Sequence, residues 1–345
     1  MEEAALSAAS LKRAAPGIPA WLYTDHADCP LARLDAFDKV IPIESCADYR
    51  DVSAGAKIDR LRVLADAPFA RCLQIDTDTR ILSAEIEKAF DFLADIDIAM
   101  IECHPDGSIS RGLYGRPMFN GGFVLFRRNG KTRALFEAWR DLSDKHFRLA
   151  DRDDLSTVGQ ECPYIAHVPE QEDRRTLLRR DQLALAQLLS PEVNRFELDY
   201  AQLSEGWNFR GTGERRRVME PVIVDHRNAY KFTTVQDLLA IAFERFAADD
   251  RRSAGLIYNH VLAAHAAELG QASARDLAQG FKTVEGGRFA AIGDAAETAL
   301  AAANGTAPDW LNNALRMAAL HLRAGQGEPA LKLGDAIGRR AAQSS

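Results

Sequence analysis

Two carboxylates stand one residue apart at Asp76-Thr77-Asp78, directly after the apolar run Cys72, Leu73, Ile75. A short apolar run reads as a buried strand, so the pair sits at a strand's end. Carboxylates held that close call for positive charge between them, and a hard divalent cation with oxygen ligands supplies it. Mg²⁺ and Mn²⁺ keep few protein ligands and share the rest of their shell with a substrate's phosphates. The same tripeptide also reads as a solvated turn, because Asp is common where strands stop. Asn120-Gly121-Gly122 opens another apolar run. Its glycines let a ligand or another backbone approach closely, or else make a bulge or tight turn. Arg180-Asp181-Gln182 opens a helical pattern carried by Leu183, Leu185, Ala186 and Leu189, with Asp181 a credible N-cap. Lys57 and Arg60, three residues apart, share one helix face, and each also reads as a solvated surface charge. Asp225-His226 closes the last strand-like run, Val222-Ile223-Val224.

The elements that carry these groups alternate. Residues 2–15 read as a helix through Ala4, Ala5, Ala8 and Leu11, stopped by Pro16-Gly17. Strands are expected at 20–23, 40–43, 72–75, 97–103 and in the second half of 119–126. Helices are expected at 56–67 with Ile58, Leu61 and Leu64 inward, after Ser83 with Ile86, Phe90 and Leu93 inward, and at 132–142. This order predicts an α/β fold whose mixed, mostly parallel sheet is flanked by helices. Sheets of that kind bind ligands at the carboxyl ends of their strands, where the Asp pair lies. Residues 143–179 are polar and poorly periodic, with a strand expected at Pro163–Val168. A connection that long is usually functional or disordered. A further strand is expected at 196–203, followed by Trp207-Asn208-Phe209-Arg210 and a basic, glycine-containing loop at 211–217. After about residue 235 alanine dominates and strand signals stop. Helices are expected there at 238–246, 253–268, 309–324 and 328–341, the last two joined through Gly325-Gln326-Gly327 as a hairpin. The expected division is 1–235 and an all-helical C-terminal region, 236–345.

Composition excludes several classes. The 345 residues and 47% hydrophobic content suffice for one large domain and a smaller one. A formal charge of -7 argues against a dedicated nucleic-acid binder. Five scattered cysteines show no metal-ligand spacing and are read as idle thiols of a reducing compartment. No apolar run is long enough to span a membrane, and the first residues lack a signal-peptide core, so a cytoplasmic protein is expected.

In sequence order these motifs resemble the GT-A-fold nucleotide-diphospho-sugar transferases, of the family-8-like type, over residues 4–232. KIDRLRVLADAPFARCLQIDTDTRIL resembles the group's donor helix and DxD motif. FNGGFVLFRRN resembles its N-x-G segment, and RRDQLALAQLL its Asp-Gln helix start. WNFR resembles its late Trp-Asn, and VIVDHRNAYK its late strand with a metal-binding His. Two features depart from the group. Its members begin with a strand that helps bind the base, whereas this chain begins at Met1 inside the first helix. They also often show His, a glycine and Lys-Pro-Trp, where this chain runs from His226 to Lys231 with Ala229 and no Pro-Trp.

The resemblance implies a glycosyltransferase that moves a sugar from a nucleotide diphosphate, the common one being UDP, to a glycan or other hydroxyl acceptor. It implies that Asp76, Asp78 and His226 bind the metal. Imidazole favours Mn²⁺ over Mg²⁺ for that site. Lys57, Arg60, Asp76, Thr77, Asn120, Gly121, Gly122, Asn208 and Lys231 would contact the nucleotide sugar. Asp181 and Gln182 would stand near the anomeric carbon or the acceptor hydroxyl, with the carboxylate a general base in an inverting enzyme or a stabiliser of positive charge in one that, like the family-8 group, retains configuration. Trp207 would stack on a sugar or belong to the core. The helical C-terminal region would be free to engage a protein partner. Two other readings remain. One is a non-catalytic binding protein on the same fold. The other is a haloacid-dehalogenase-type phosphohydrolase, which also sets Asp-x-Asp after a strand but wants Thr or Val where Arg80 stands.

Overall fold

The computed structural model describes residues 1–46, 48–102, 118–190, 195–209, 223–226, 234–248, 250–264 and 272–344. Two compact units result: Ser7–Ala27 with Ala36–Ala229, and Met1–Leu6 with Asp28–Asp35 and Tyr230–Ser345. The Lys231 assignment, the 211–217 loop and Cys103 lie outside the described residues.

The first unit is the α/β unit. Its elements in order are α1 (Glu2–Ala14, from Ser7 on), β1 (Trp21–Thr24), β2 (Lys39–Pro42), α2 (Val52–Ala65), β3 (Arg71–Ile75), β4 (Thr79–Ile81), β5 (Ile98–Glu102), β6 (Phe119–Arg127), α3 (Gly130–Ala150), α4 (Val158–Glu161), α5 (Gln171–Leu178), α6 (Asp181–Leu188), β7 (Tyr200–Leu203) and β8 (Val224–His226). The main sheet runs β3-β6-β5-β7, with β1-β2 and β4-β8 as separate pairs.

The expected class holds: a mixed sheet flanked by helices, with a helical C-terminal region. The pairing within it departs from the expected parallel excess. β1–β2 and β5–β7 are parallel, but β6 runs antiparallel to both β3 and β5, and β4–β8 is antiparallel. Alternating helices imply parallel strands only where a helix makes the crossover.

β6 is buried along its length to Phe126, and its side chains alternate between two cores. Val124 and Phe126 face Leu61, Leu64, Phe136, Trp139, Leu185 and Leu188. Phe123 and Leu125 face Ile86, Leu93, Ile223 and Val224, with Leu11 and Ala14 of α1 alongside. Burial on both faces explains why this strand reads as a continuous apolar run.

Several boundaries moved for local reasons. α2 begins at Val52 because Asp51 caps it, accepting from the Ser53 N–H. Ser83 caps the next segment through the Glu85 N–H, but Ala84–Ala94 coils as a 3₁₀-helix. α3 extends to Ala150 behind a reciprocal cap between Asn129 and Thr132. Pro163–Val168 is not a strand. Pro163 begins a 3₁₀ turn ending at Ile165, and its ring nitrogen has no proton to give a sheet. Ile165 and Val168 instead bury against Leu149, Leu155, Leu177 and Leu178, so 143–179 carries its own small core. The strand expected from 196 is confined to Tyr200–Leu203.

The second unit holds α7 (Thr234–Ala247), α8 (Arg251–Ala264), α9 (Ala274–Thr283), α10 (Ala290–Ala302), α11 (Asp309–Arg323) and α12 (Gly327–Ser344). One apolar cluster joins α9 to α12 through Phe281, Ile292, Leu311, Leu315, Leu333 and Ile337. No helix among the described residues is long and apolar enough to cross a membrane.

Candidate functional site

β3 ends at Ile75, opposite Phe123 of β6. The Asp76 N–H donates to the Gly122 carbonyl at 2.9 Å. This places the carboxylate of Asp76 beside the Asn120-Gly121-Gly122 stretch. Thr79 closes the turn, its Oγ1 donating to the Asp76 carbonyl at 2.7 Å and meeting Ser7 Oγ at 3.0 Å. β4 then pairs with β8 so that Thr79 stands opposite His226. Two short strands, far apart in sequence, thus bring the imidazole to the carboxylates.

His226 Nε2 lies 3.2 Å from Asp78 Oδ1 and 3.8 Å from Asp76 Oδ2. One ligand atom from each of the three residues fits within 4.8 Å of the others. On the far side of the ring, Nδ1 meets Asn208 Oδ1 at 3.2 Å. With Nδ1–H donating to that amide oxygen, the Nε2 lone pair faces the two carboxylates, the arrangement of a metal-ligating His oriented from behind. Two carboxylate oxygens and an imidazole nitrogen suit Mn²⁺, with Mg²⁺ served by the oxygens. Asp76, Asp78 and His226 could therefore hold a divalent ion. Thr77 points into solvent from the turn between them.

Arg60 links this cluster to a further carboxylate. Its Nη1 donates to Asp76 Oδ1 at 3.2 Å and its Nη2 donates to Asp181 Oδ2. Burial opposes charging the guanidinium, but Asp181 and Asp76 outweigh it, and its pKa stands above the ordinary value. Asp181 is only 2% exposed. Its side chain does not cap α6. Arg180 occupies that position without a side-chain cap bond, and Asp181 is the first residue inside the helix. The N-cap assignment fails because a buried guanidinium offers the carboxylate a stronger, charge-assisted partner. The Asp181 carbonyl in turn accepts from Trp139 Nε1 at 2.8 Å, which fixes the start of α6 against the sheet.

Neither Lys57 nor Arg60 is a solvated surface charge. Lys57 Nζ donates to the Arg179 carbonyl at 2.8 Å, one turn of α2 away from Arg60. Burial lowers its pKa, against the opposing pull of Asp181 and Asp51. Gln182 follows Asp181 half-buried. Trp207 packs edge-on to Phe92 at 5.5 Å between ring centres and joins the apolar cluster, so the ring has a core role.

The two glycines are required by close approach. A Cβ on Gly122 would fall 2.2 Å from Asp76 Oδ2, and one on Gly121 would fall 2.8 Å from Arg60 Nη2. Gly122 N–H donates to Asn120 Oδ1 at 2.7 Å, which engages the amide oxygen of that side chain. Among the described residues, Asn120 Nδ2 and Asn208 Nδ2 are buried without a hydrogen-bond partner. Leaving a buried donor open costs about 1–3 kcal/mol, so two beside one acidic cluster call for a physical account, such as a water or an ion.

The structure gathers Arg60, Asp76, Asp78, Asn120, Gly121, Gly122, Asp181 and His226 through direct contacts, with Asn208 behind His226 and Lys57 on the same helix face. Thr79 and Ser7, which set the Asp76 loop, were not singled out from the sequence, although a Thr three residues after Asp commonly closes a turn. Trp139, which sets α6, was read as an inward residue of the 132–142 helix, and it is buried; its bond to the Asp181 carbonyl had no signal.

No family model and no curated protein matches the chain. Among solved structures it is similar to the galactosyltransferase LgtC in complex with donor and acceptor sugar analogues, at TM-score 0.40 and 14% identity, over 68% of this chain and 89% of that one. It is also similar to an active-site mutant of LgtC, at TM-score 0.36 and 13% identity, with the same coverage.

Proposed function

We propose that the chain is a metal-dependent glycosyltransferase that takes its sugar from a nucleotide diphosphate, UDP first, and delivers it to a glycan or another hydroxyl acceptor. The observation that carries this reading is the convergence of Asp76, Asp78 and His226, with Arg60 bridging the same Asp76 to buried Asp181. The order of the sequence motifs, which resembles that of the nucleotide-diphospho-sugar transferases, supports it. A divalent ion held by Asp76, Asp78 and His226 would act as a Lewis acid towards the charge that grows on a departing diphosphate.

The chain's own residues supply the rest. Asn208 orients His226, and Thr79 holds the loop that carries the carboxylates. The Asn120 and Asn208 amide nitrogens offer donors to sugar hydroxyls or phosphate oxygens. Bare backbone at Gly121 and Gly122 leaves room for the Asp76 and Asp181 carboxylates behind it. Asp181, paired with Arg60, would stabilise positive charge at an anomeric centre, with Gln182 beside it. That role suits retention of configuration. Lys57 adds a second cation on the Arg60 face of α2. A protein that binds the nucleotide without turnover is the other outcome the test must separate.

Calorimetry with UDP is expected to show binding with Mn²⁺ and none in chelator. Mass spectrometry is expected to show slow hydrolysis of a UDP-sugar in the same buffer. Equal UDP affinity with and without the ion would remove the metal from the reading. Metal-dependent binding with no hydrolysis and no transfer to any acceptor would make the chain a binding protein.

A further inference from the structure

A second set of side chains, in the helical unit, stands as nucleophile, base and orienting carboxylate. Cys29 Sγ lies 3.9 Å from Nδ1 of His260, and Nε2 of the same ring lies 2.9 Å from Glu2 Oε1. The three come from the start of α1, the turn before Pro30 and the middle of α8, all within one compact unit. The set is open to solvent. Cys29 is partly exposed, and the side chains of His260 and Glu2 keep 20% and 34% of their surface. With Nε2–H donating to the Glu2 carboxylate, the Nδ1 lone pair faces the Cys29 sulfur.

We propose that Cys29 is an activated thiol whose base is His260, oriented by Glu2, and that it exchanges with the disulfide of a low-molecular-weight thiol. In this step His260 Nδ1 takes the thiol proton. The Cys29 sulfur attacks one sulfur of the disulfide, and the new S–S bond forms as the old one breaks. The released thiolate takes the proton back from His260. Cys29 then carries a mixed disulfide, and a second thiol reverses the sequence.

The molecule contains its own controls. Cys162 also meets a histidine, with His146 Nε2 at 3.6 Å, but both are buried. Burial raises the thiol pKa of Cys162 and of Cys72, which keeps them protonated and out of reach. Cys46 is partly exposed, like Cys29, yet it packs against Tyr49, Ala54 and Ile58 rather than an imidazole. Proximity to histidine without access, and access without histidine, are thus both represented.

The experiment treats the full-length protein with 4,4′-dithiodipyridine, quenches at intervals and assigns each modified cysteine by peptide mass. Cys29 is expected to react at least about tenfold faster than Cys46, as an activated thiol does at neutral pH. His260→Gln should slow Cys29 by about tenfold and leave Cys46 unchanged, and Glu2→Gln should slow Cys29 less, in the same direction. Reaction at Cys72 or Cys162 would report unfolding of a variant. Should His260→Gln unfold, Glu2→Gln at the partly exposed start of α1 decides. A Cys29 rate no faster than that of Cys46, or one unmoved in a folded variant, would overturn the proposal. The readout does not involve sugar transfer and stands or falls separately from it.

Discussion

The two units bury polar groups in opposite ways. In the helical unit, His321 is fully buried among aromatic rings, edge-on to Phe243 and Tyr258. Both its nitrogens are engaged, Nε2 with the Tyr258 hydroxyl at 2.9 Å and Nδ1 with Gln326 Oε1 at 2.8 Å. Gln326 closes the chain by donating to the Gln236 carbonyl. In the α/β unit, Arg60 Nε, Asn120 Nδ2 and Asn208 Nδ2 are buried with nothing to bond among the described residues. A satisfied buried network specifies packing and asks for nothing more. An unsatisfied one beside three carboxylates is a cost that a ligand would offset. Openness alone is not the criterion, since His146 Nδ1 is also unpartnered. That ring lies beside Cys162 and Lys145, and burial drives its pKa down to about 4, so it is kept neutral by an apolar setting.

The largest effect should come from Asp181→Asn. The α6 cap is untouched, because Arg180 and not Asp181 holds that position. Arg60 keeps Asp76 but loses the better buried of its two carboxylates. Turnover should fall by roughly 10²–10⁴-fold, the range for a positioned acid–base or charge-stabilising group. The melting temperature should also drop, since a buried guanidinium loses charge compensation. UDP affinity should change far less. Full activity in a folded Asp181→Asn would reduce Asp181 to a partner of Arg60 and place the α/β unit's buried charge on the same structural footing as His321.

Acid acts on both buried histidines next. His146 moves from an unfolded value near 6.5 to about 4 in the fold. The fold therefore favours the neutral ring, and this contribution, on the order of 3 kcal/mol, is complete above about pH 6.5 and is lost as the pH falls towards 4. Burial lowers His321 as well, though Gln326 opposes the shift, so its contribution is lost in the same direction. Urea unfolding at pH 7 and pH 4.5 should show His146→Leu flattening most of the decline in the α/β unit. An undiminished decline would assign acid sensitivity to other groups.

Gly122→Ala should be milder and more selective. The added Cβ would collide with the carboxylate of Asp76, the movable end of a short side chain, and not with backbone. The fold should survive while Asp76 swings away from Asp78 and His226. Mn²⁺-dependent UDP binding should weaken by about 10–100-fold, as it does when the support of a metal ligand is disturbed. The same substitution at Gly130, where a Cβ meets open space, is the matched control. Equal effects at both positions would mean that Gly122 matters to the strand and not to the site.

These contrasts also show what could be read beforehand. Asp76 and Asp78 were legible because a strand pattern ends on them, and Asn120-Gly122 because glycines interrupt an apolar run. His226 was reached through motif order rather than periodicity. The Arg60–Asp181 pair was not legible, since its members lie 121 residues apart and each has an ordinary local reading, a surface cation and an N-cap. The core within 143–179 was hidden by charged residues between its buried positions. α9 and α10 were missed for a different reason. The buried stripe of α10 is Ile292, Gly293, Ala296, Ala299 and Leu300, and alanine or glycine on an inward face looks the same as alanine outside.

The smallest effect belongs to Gly325, at the turn between α11 and α12. Gly325 has φ +73, and a Cβ there would meet open space. The Gln326 N–H donates to the His321 carbonyl at 2.8 Å and the Gly325 N–H to the Leu322 carbonyl at 2.9 Å. This pair of bonds ends a helix on a left-handed residue. The same turn carries the Gln326 side chain back to His321, so backbone conformation and buried polar network are set together. Gly325→Ala meets no clash and costs only the strain of a left-handed alanine, about 1 kcal/mol. Thermal unfolding should show that loss in the helical unit, while Mn²⁺-dependent UDP binding stays unchanged. A loss well beyond about 1 kcal/mol would mean that the turn distorts and releases Gln326 from His321. Double substitution with Gln326→Ala distinguishes the two. Strain alone adds to the loss of the side chain, whereas a broken Gln326–His321 bond makes the second substitution nearly silent.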